Sequence, residues 1–412
     1  MHRSKPDAPP LEAGASERQE SAWRVFLVFL RLGLTSFGGP VAHLGYFRDE
    51  FVHRRRWLNE QGYADLVALC QFLPGPASSQ VGMALGFMRR GYGGALAAWA
   101  GFTLPSAFAL ILFALGLSQY PTLIPASALH GLKVVAVAVV AHAVYGMAKA
   151  LCTDKPRITI MTAAACLALL APSAMAQLGI IFAAGTAGLL IFKPGATESH
   201  VPLPPVISRP AGALWLALFF VLLIGLPLLA ALVPHQAIKE VSVFFRSGAL
   251  VFGGGHVVLP LLQTSVVSPD WVSNDVFLAG YGAAQAVPGP LFTFAAFLGA
   301  SMSGAPSGWW GGIICLLAIF APSFFLVAGV LPFWEELRRR TAMQAALMGI
   351  NAAVVGLLLA ALYQPVWTSA IFSPRDFALA LVALVALMFW KLPPWLVVVA
   401  CGIAAWLIEL GL

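Results

Sequence analysis

The chain has 412 residues, of which 60% are hydrophobic and only 10% are charged, against roughly 25% charged in an ordinary soluble domain. This composition excludes a soluble globular enzyme, a disordered protein and a fibrous protein. The apolar stretches reach helix length and lack the short alternation of outer-membrane strands, so we predict an all-α polytopic protein of the lipid bilayer. The net charge of +7 lies in short clusters between apolar runs, which argues against nucleic-acid binding.

Four parts are predicted along the chain. Residues 1–22 are polar and Pro-rich and are expected to form a disordered cytoplasmic tail without a cleavable signal peptide. Residues 23–192 form a first repeat, residues 193–233 a linker with one connecting transmembrane helix, and residues 234–412 a second repeat. The five cysteines are isolated and lack the spacing of a metal site, so neither a metal nor a cofactor is expected.

The two repeats share motifs in the same order. The segment Phe29–Pro40 (FLRLGLTSFGGP) recurs as Phe244–Gly255 (FFRSGALVFGGG), and Gln71–Pro76 (QFLPGP) recurs as Gln285–Pro290 (QAVPGP). We call the Phe-Gly-Gly at positions 37–39 and 252–254 the FGG motif, and the Pro-Gly-Pro at positions 74–76 and 288–290 the PGP motif. Further matches at near-constant offsets are Trp57 with Trp271, Pro105-Ser106 with Pro322-Ser323, Gly131 with Gly349, and Tyr145 with Tyr363. This order indicates an internal duplication.

The basic residues predict that the second repeat is inverted. The loop before Trp57 contains three consecutive arginines at positions 54–56, whereas the loop before Trp271 contains no Lys or Arg. The next pair of loops reverses this bias, since residues 118–122 are uncharged and residues 338–340 are all arginine. Because Lys and Arg are retained on the cytoplasmic side, equivalent loops face opposite sides and the N-terminus is cytoplasmic. Inverted repeats of this kind are typical of secondary transporters.

Two segments in each repeat are predicted to be re-entrant helical hairpins. Trp23–Phe37 would form only ~22 Å of helix against a hydrocarbon core of ~30 Å. The FGG motif then breaks it, and the chain returns to a basic cluster. The segment Tyr63–Met88 repeats this pattern around its PGP motif, and a kinked full span is the alternative. Non-helical backbone at membrane depth must be buried in protein or line a cavity, so the two motifs mark the predicted site.

Full spans are predicted after the hairpins and in the linker. They cover residues 94–117, 124–149, 158–170 and 174–192 in the first repeat, residues 211–233 in the linker, and residues 309–332, 342–363, 377–389 and 394–410 in the second repeat.

The broken helices predict an anion-binding site. A helix that begins just after a Gly or Pro break presents unpaired backbone N–H groups and the positive end of its dipole. Such starts follow each of the four motifs. The candidate binding residues at these starts are Ser36, Gly38, Gly39, His43, Gln71, Pro74, Gly75, Ser78, Ser79, Gly253, Gly254, His256, Gln285 and Gly289.

Charged side chains within the apolar segments are further candidates. Arg31 and Arg246 are single charges in apolar helices, where a charge is costly and indicates function. A guanidinium group also matches a tetrahedral oxyanion bidentately. The alternative for Arg31 is snorkelling to the interface. Lys133 and Asn351, which are equivalent positions of the two repeats, are also candidate binding residues. Lys133 is either a third anion contact or a structural partner of Asp65.

Titratable groups for proton coupling are few. Asp65 is the only clear intramembrane carboxylate in the sequence, which argues against a cation site of the Asp/Glu type. The candidates for proton coupling are Asp65, His43 and His256, and the alternative for both histidines is a hydrogen-bonded packing role. No nucleophile–base pair or phosphate loop stands out, so catalysis is not expected.

The repeated motifs resemble those of the CHR family of chromate transporters, in its long two-domain form. The resemblance covers nearly the whole chain apart from the tail and the linker. It is carried by both copies of the FGG and PGP motifs and by Trp57-Leu58, Ser78, Gln80, Gly82–Gly86, His256, Pro260 and Tyr363. It implies export of chromate across the inner membrane of a bacterium, driven by the proton gradient or the membrane potential and conferring chromate resistance.

Two departures and three alternatives accompany this resemblance. Gly255 stands where the first repeat has Pro40, and the Phe72-Leu73 pair is replaced by Ala-Val in the second repeat, so the two sites need not be equivalent. Sulfate is also a tetrahedral dianion of similar size, so a sulfate or oxyanion transporter or exchanger is the nearest alternative. An anion channel and a membrane structural protein are the others. A homodimer is common for such carriers, and no feature of the sequence decides it.

Overall fold

We describe the protein from a computed structural model, in which the described residues are 20–120, 125–194, 206–233, 235–252, 255–267, 269–338 and 340–410. Nearly all of the predicted disordered tail lies outside these residues, as does the Pro-rich part of the predicted linker. Every regular element in the described residues is helical. This confirms the predicted all-α fold.

The helices follow the predicted order of hairpins and spans. The first repeat contains α1 (Ala22–Thr35), α2 (Gly39–Arg48), α3 (Glu60–Phe72), α4 (Ala77–Gln119), α5 (Ala126–Leu151), α6 (Lys155–Leu170) and α7 (Ala174–Ile191). The connecting helix is α8 (Arg209–Leu232). The second repeat contains α9 (Gln236–Ala249), α10 (Val258–Val266), α11 (Asn274–Ala286), α12 (Phe294–Ala300), α13 (Gly308–Val330), α14 (Trp334–Leu337), α15 (Thr341–Ala361), α16 (Pro374–Met388) and α17 (Pro394–Glu409).

Polar caps determine where several helices begin. The side chains of Asn59, Asp154 and Ser173 each accept a hydrogen bond from the backbone N–H three residues later, at the starts of α3, α6 and α7. Each cap satisfies one of the amides that a helix leaves unpaired in its first turn.

Helices α1 and α2 fold back on each other as a hairpin. The ring of Phe29 on α1 stacks on Phe51 at 5.1 Å between centroids and meets the edge of Phe47 at 5.6 Å. In one continuous helix, residues 29 and 51 would be ~33 Å apart at 1.5 Å per residue. The break at the FGG motif therefore reverses the chain.

The segment around each PGP motif closes as a second hairpin. Arg89, at the end of the first of these segments, donates a hydrogen bond to the carbonyl of Trp57, just before α3 begins, at 2.7 Å. In the second repeat the backbone N–H of Ser303 donates to the carbonyl of Trp271 at 3.0 Å. Both ends of each segment therefore lie together, as the hairpin prediction requires, and how deeply the hairpins enter the bilayer stays a prediction.

Helix α4 consists of two parts that meet at a sharp break. Arg90 and Gly91 have non-helical backbone angles, and Gly91 has a φ of +57°. On either side of the break, Gly86 and Gly94 approach so closely that a Cβ on Gly86 would meet the carbonyl of Gly94. The first part of α4 is thus an arm of the PGP hairpin, and the second part is the predicted span.

The second part of α4 and its equivalent, α13, run in opposite directions. The start of that part lies near the end of α13, with Tyr92 and Phe324 at 6.5 Å between centroids. Its end lies near the start of α13, where an added Cβ on Gly308 would contact Leu115 at 3.7 Å. Equivalent helices that run antiparallel require inverted repeats.

The terminal helices of each repeat pack on the other repeat. Helix α5 packs against α16 and α17, and a Cβ added to Gly131 on α5 would lie 2.6 Å from the carbonyl of Cys401. Helix α15 packs against α6 and α7, and a Cβ added to the equivalent Gly349 would meet the carbonyl of Ala184. This exchange explains why both glycines recur, and it interlocks the two halves.

In the described residues, five helical stretches are long and apolar enough to cross a membrane: Ala77–Gln119, Ala126–Leu151, Arg209–Leu232, Gly308–Leu337 and Thr341–Trp367. The other predicted spans are helices α6, α7, α16 and α17, with 15 to 18 residues each. At 1.5 Å per residue these reach only about 22–27 Å, short of the ~30 Å core. The chain is a multi-pass membrane protein whose four exchanged helices are shorter than full spans.

We expect Gly349→Val to destabilise the protein by about 1–3 kcal/mol, since the added side chain overpacks the contact between α15 and α7. Thermal unfolding of the detergent-solubilised protein measures the effect as a lower Tm. Gly146→Val on α5 is the matched control, because a Cβ there meets no atom within 4 Å. Equal Tm values for the two variants would contradict the exchanged packing.

Candidate functional site

The two repeats meet through a reciprocal pair of backbone hydrogen bonds. The N–H of Gly75, in the first PGP motif, donates to the carbonyl of Val251 at 2.7 Å. The N–H of Gly289, in the second PGP motif, donates to the carbonyl of Ser36 at 2.9 Å. Ser36 and Val251 are equivalent positions just before the two FGG motifs. Each PGP loop therefore rests on the FGG segment of the opposite repeat, and we call this region the junction.

Both junction glycines are required by backbone angle and by space. Gly75 has a φ of +124° and Gly289 a φ of +104°, which side chains rarely adopt. A Cβ on Gly75 would meet Oγ of Ser323, and a Cβ on Gly289 would lie 2.9 Å from Oγ of Ser106. These two serines belong to the repeated Pro-Ser motif. The sequence showed that repeat but did not reveal that each serine packs against the PGP loop of the opposite repeat.

Helices begin at the junction, as predicted, without side-chain caps. Helix α2 begins at Gly39 after Gly38, which has a φ of +101°, and α4 begins at Ala77 after Pro76. In the second repeat, short 3-10 turns at Gly255–Val257 and Leu291–Thr293 precede α10 and α12. The first-turn amides of α2 and α4 are therefore left for backbone, water or an anion to satisfy.

A small cleft opens at the junction, between the two repeats. It is lined by Gly38, Gly39, Pro40, His256, Ala284, Gln285, Val287, Gly289, Leu291 and Pro394. The lining thus combines the start of α2 from the first repeat with the PGP loop and His256 from the second. It brings together five of the predicted binding residues, and no Asp or Glu is among the lining residues.

Two polar side chains face this cleft from the second repeat. The Nε2 of Gln285 is buried and has no hydrogen-bond partner in the described part of the chain, so it is a free donor. The Nδ1 of His256 lies 2.7 Å from the hydroxyl of Tyr281, which fixes the orientation of the imidazole ring. Tyr281 was not predicted, although its position four residues before Gln285 places both on one face of α11.

A second cluster of polar side chains lies behind the junction, in the first repeat. His43 is 1% exposed, and its Nδ1 lies 3.4 Å from Oγ of Ser78. The amide of Gln80 donates to the carbonyl of Pro74 at 2.7 Å and braces the PGP loop. The side chains of Ser36 and Ser79 are buried too, and their hydroxyl oxygens have no partner among the described residues. These predicted residues come together but do not line the cleft.

The remaining predicted residues lie elsewhere. Gln71 is exposed, unlike its equivalent Gln285, and Asn351 is half-buried on α15. Arg31 lies on an exposed face of α1. Arg246 is half-buried and lines a separate small pocket with Leu178, Ser247, Leu250, Leu261 and Ser265. Gly253 and Gly254 lie outside the described residues.

The predicted alternative pairing of Lys133 with Asp65 is wrong. Lys133 forms an ion pair with Asp275 on α11 at 2.9 Å. Asp65 is 3% exposed and pairs with Arg338 at 2.8 Å, with a second hydrogen bond from Trp334 at 3.2 Å. Asp275 and Asp65 are thus each paired with a cation of the opposite repeat. Such long-range pairs cannot be read from a local sequence pattern.

The motif order and the inverted repeats agree with the comparison to known families. The chain matches the chromate transporter family over residues 23–189 and 238–406, which covers both repeats. The chain belongs to this family.

Several known proteins are similar to this chain along most of its length. A chromate transport protein of Pseudomonas aeruginosa is 29% identical over 403 residues, which cover 93% of this chain and 92% of the relative. A chromate transport protein of Cupriavidus metallidurans is 25% identical, with 94% of each chain covered. An uncharacterised transporter of Methanocaldococcus jannaschii is 28% identical over 82% of this chain and 83% of the relative. No solved structure matches the chain.

We expect Gly75→Ala and Gly289→Ala each to lower stability by about 1–3 kcal/mol, because alanine is strained at these backbone angles and its Cβ displaces the opposite Pro-Ser serine. Thermal unfolding in detergent gives the Tm. Gly116→Ala, at a helical position where a Cβ meets nothing within 4 Å, is the control and is expected to keep the Tm of the parent. An unchanged Tm for both junction variants would show that the reciprocal contacts do not stabilise the protein.

Proposed function

We propose that the protein is a secondary active transporter that exports chromate from the bacterial cytoplasm across the inner membrane, and that it confers chromate resistance. The single observation that carries this proposal is the cleft at the junction of the two inverted repeats, which offers hydrogen-bond donors and no carboxylate. Family membership and the names of two relatives support chromate as the substrate.

The donors of the cleft suit a tetrahedral dianion. The first-turn amides of α2 at Gly39 supply backbone N–H groups and the positive end of the helix dipole. The free Nε2 of Gln285 adds a side-chain donor, and His256 adds an imidazole held by Tyr281. A dianion bound by neutral donors is stabilised without a permanent counter-charge, so it can also leave, as transport requires.

The inverted repeats supply a route for alternating access. In such folds a site at the repeat interface opens to one side and then the other as one repeat rocks against its partner. Here the two junction hydrogen bonds are related by the repeat symmetry, so a rocking motion alters both together. Arg246, half-buried in its separate pocket, is proposed to attract the anion on its path to or from the cleft.

Chromate flux into everted membrane vesicles tests this proposal. We expect chromate uptake to rise with an imposed pH gradient or membrane potential. If excess sulfate lowers chromate uptake, sulfate binds in the same cleft. Gln285→Glu is expected to lower chromate flux about tenfold or more, because losing a hydrogen bond to a charged group costs about 1.5–3 kcal/mol and the new carboxylate repels the dianion.

The control for this variant adds the same charge elsewhere. Gln119→Glu at the exposed end of α4 is expected to keep the parental flux. Flux that is unaffected by dissipating both gradients would refute secondary transport, and normal flux in Gln285→Glu would refute the assigned cleft.

The proposed orientation places the N-terminus in the cytoplasm and can be tested by cysteine labelling. Arg56 and Asp270 precede the two repeated tryptophans, with φ of 54° and 58°. In a Cys166→Ala background, which removes the exposed thiol among the described residues, a membrane-impermeant maleimide should label Asp270→Cys in intact cells. It should label Arg56→Cys only after permeabilisation. Labelling of both positions from one side would contradict this orientation.

A further inference from the structure

Helix α9 carries a buried carboxyl group that no sequence pattern singled out. Glu240 is 0% exposed, and no cation in the described part of the chain pairs with its carboxyl group. Removing a carboxylate without a counter-charge from water costs far more free energy than removing the neutral acid. Burial without a counter-charge therefore favours the protonated form of Glu240 as long as this packing holds.

The helices around α9 supply no counter-charge to this group. Helices α8, α10 and α13 pack against α9. Helix α13 contributes only the thiol of Cys315 as a titratable group, and α10 contributes none. The one charged residue of α8 is Arg209, at the opposite end of that helix, where it pairs with Glu336 at 2.6 Å.

The residues of α9 itself do not pair with Glu240 either. Gln236 lies one turn earlier and its carboxamide is a hydrogen-bond donor for the carboxyl group, but a carboxamide carries no charge. Lys239 and Arg246 form no ion pair with it in the described part of the chain. Apart from the carboxamide of Gln236, the described residues around Glu240 therefore favour the neutral acid.

The first repeat shows that a carboxyl group is not needed for this helix to pack, because its equivalent helix α1 has none at the matching position. The alignment of Phe29 with Phe244 places Val25 opposite Glu240, and both side chains are 0% exposed. A valine fills the equivalent position between α1 and α4 without any buried polar group. The acid at position 240 thus costs stability that an apolar side chain would not.

The contact between α9 and α13 connects Glu240 to the junction. Further along α9, a Cβ on Gly248 would meet the carbonyl of Ile319 on α13, so the two helices touch closely. Helix α9 precedes the second FGG motif in the chain. Helix α13 carries Ser323, which packs against the PGP loop at Gly75. A movement that separates α9 from α13 therefore changes both the solvation of Glu240 and the junction.

We propose that Glu240 is the proton-binding site that couples chromate movement to the proton gradient, an inference that rests on the proposed transport function. The neutral acid is held while α9 is packed on α13. When this contact opens, water reaches the carboxyl group, which ionises and gives its proton to water. Repacking requires that a proton be taken up again, so one proton is bound and released in each cycle.

Glu240→Gln tests this proposal, because glutamine has the shape of the neutral acid and cannot release a proton. In everted vesicles, we expect the variant to move chromate down its concentration gradient at a rate that a pH gradient does not change. The flux with the gradient divided by the flux without it should be about one. The gradient has no effect because the variant binds no proton at this position, and a ligand shifts an equilibrium only by its differential affinity. The parent protein and Glu336→Gln, whose carboxyl is exposed, should keep their stimulation by the gradient. Parental stimulation in Glu240→Gln overturns the proposal.

A second measurement does not depend on transport. Infrared spectra of the purified protein at neutral pH should contain the C=O band of a protonated carboxylic acid, which Glu240→Gln removes and Glu336→Gln retains. A band that persists in Glu240→Gln also overturns the proposal. If the parent moves no chromate, the proposed function fails while this band still reports on Glu240. Glu240→Val, which copies the first repeat, replaces Glu240→Gln in both experiments if the glutamine variant does not fold.

Discussion

A buried backbone amide must find a hydrogen-bond partner, and this constraint governs the centre of the protein. The irregular PGP loops cannot satisfy their amides within their own hairpins. Gly75 and Gly289 instead donate to carbonyls of the opposite repeat. Each repeat therefore completes the hydrogen bonding of the other, and the cleft that both repeats line exists only when the two halves are docked together.

The symmetry of this docking does not extend to the side chains. Both PGP loops rest on equivalent FGG segments, yet Gln285 faces the cleft whereas its equivalent Gln71 is exposed. Pro40 of the first repeat and His256 of the second line the same cleft. A symmetric scaffold thus carries one asymmetric site, assembled from the helix start of one repeat and the polar side chains of the other. The buried acid on α9, with valine at its counterpart, is a second departure from symmetry.

Features that depend on local sequence were predictable. Glycine and proline breaks mark the hairpins, and the arginine clusters mark the inversion, because both act within a few residues. Features that depend on docking were not. Lys133 binds Asp275 and Asp65 binds Arg338, since each partner is chosen by helices far apart in the chain. Glu240 was overlooked because Gln236 and Lys239 beside it resemble the polar end of a helix, and only the packing of α13 shows that it is buried.

The exchange of terminal helices has a consequence for biosynthesis. The partner of α6 and α7 is α15, which begins about 150 residues after α7 ends. At about 5–20 residues per second, the ribosome needs roughly 8 to 30 seconds to deliver it. During that interval the docking faces of α6 and α7 lack their partner helix. The first repeat can therefore reach its final packing only after most of the second repeat has been synthesised.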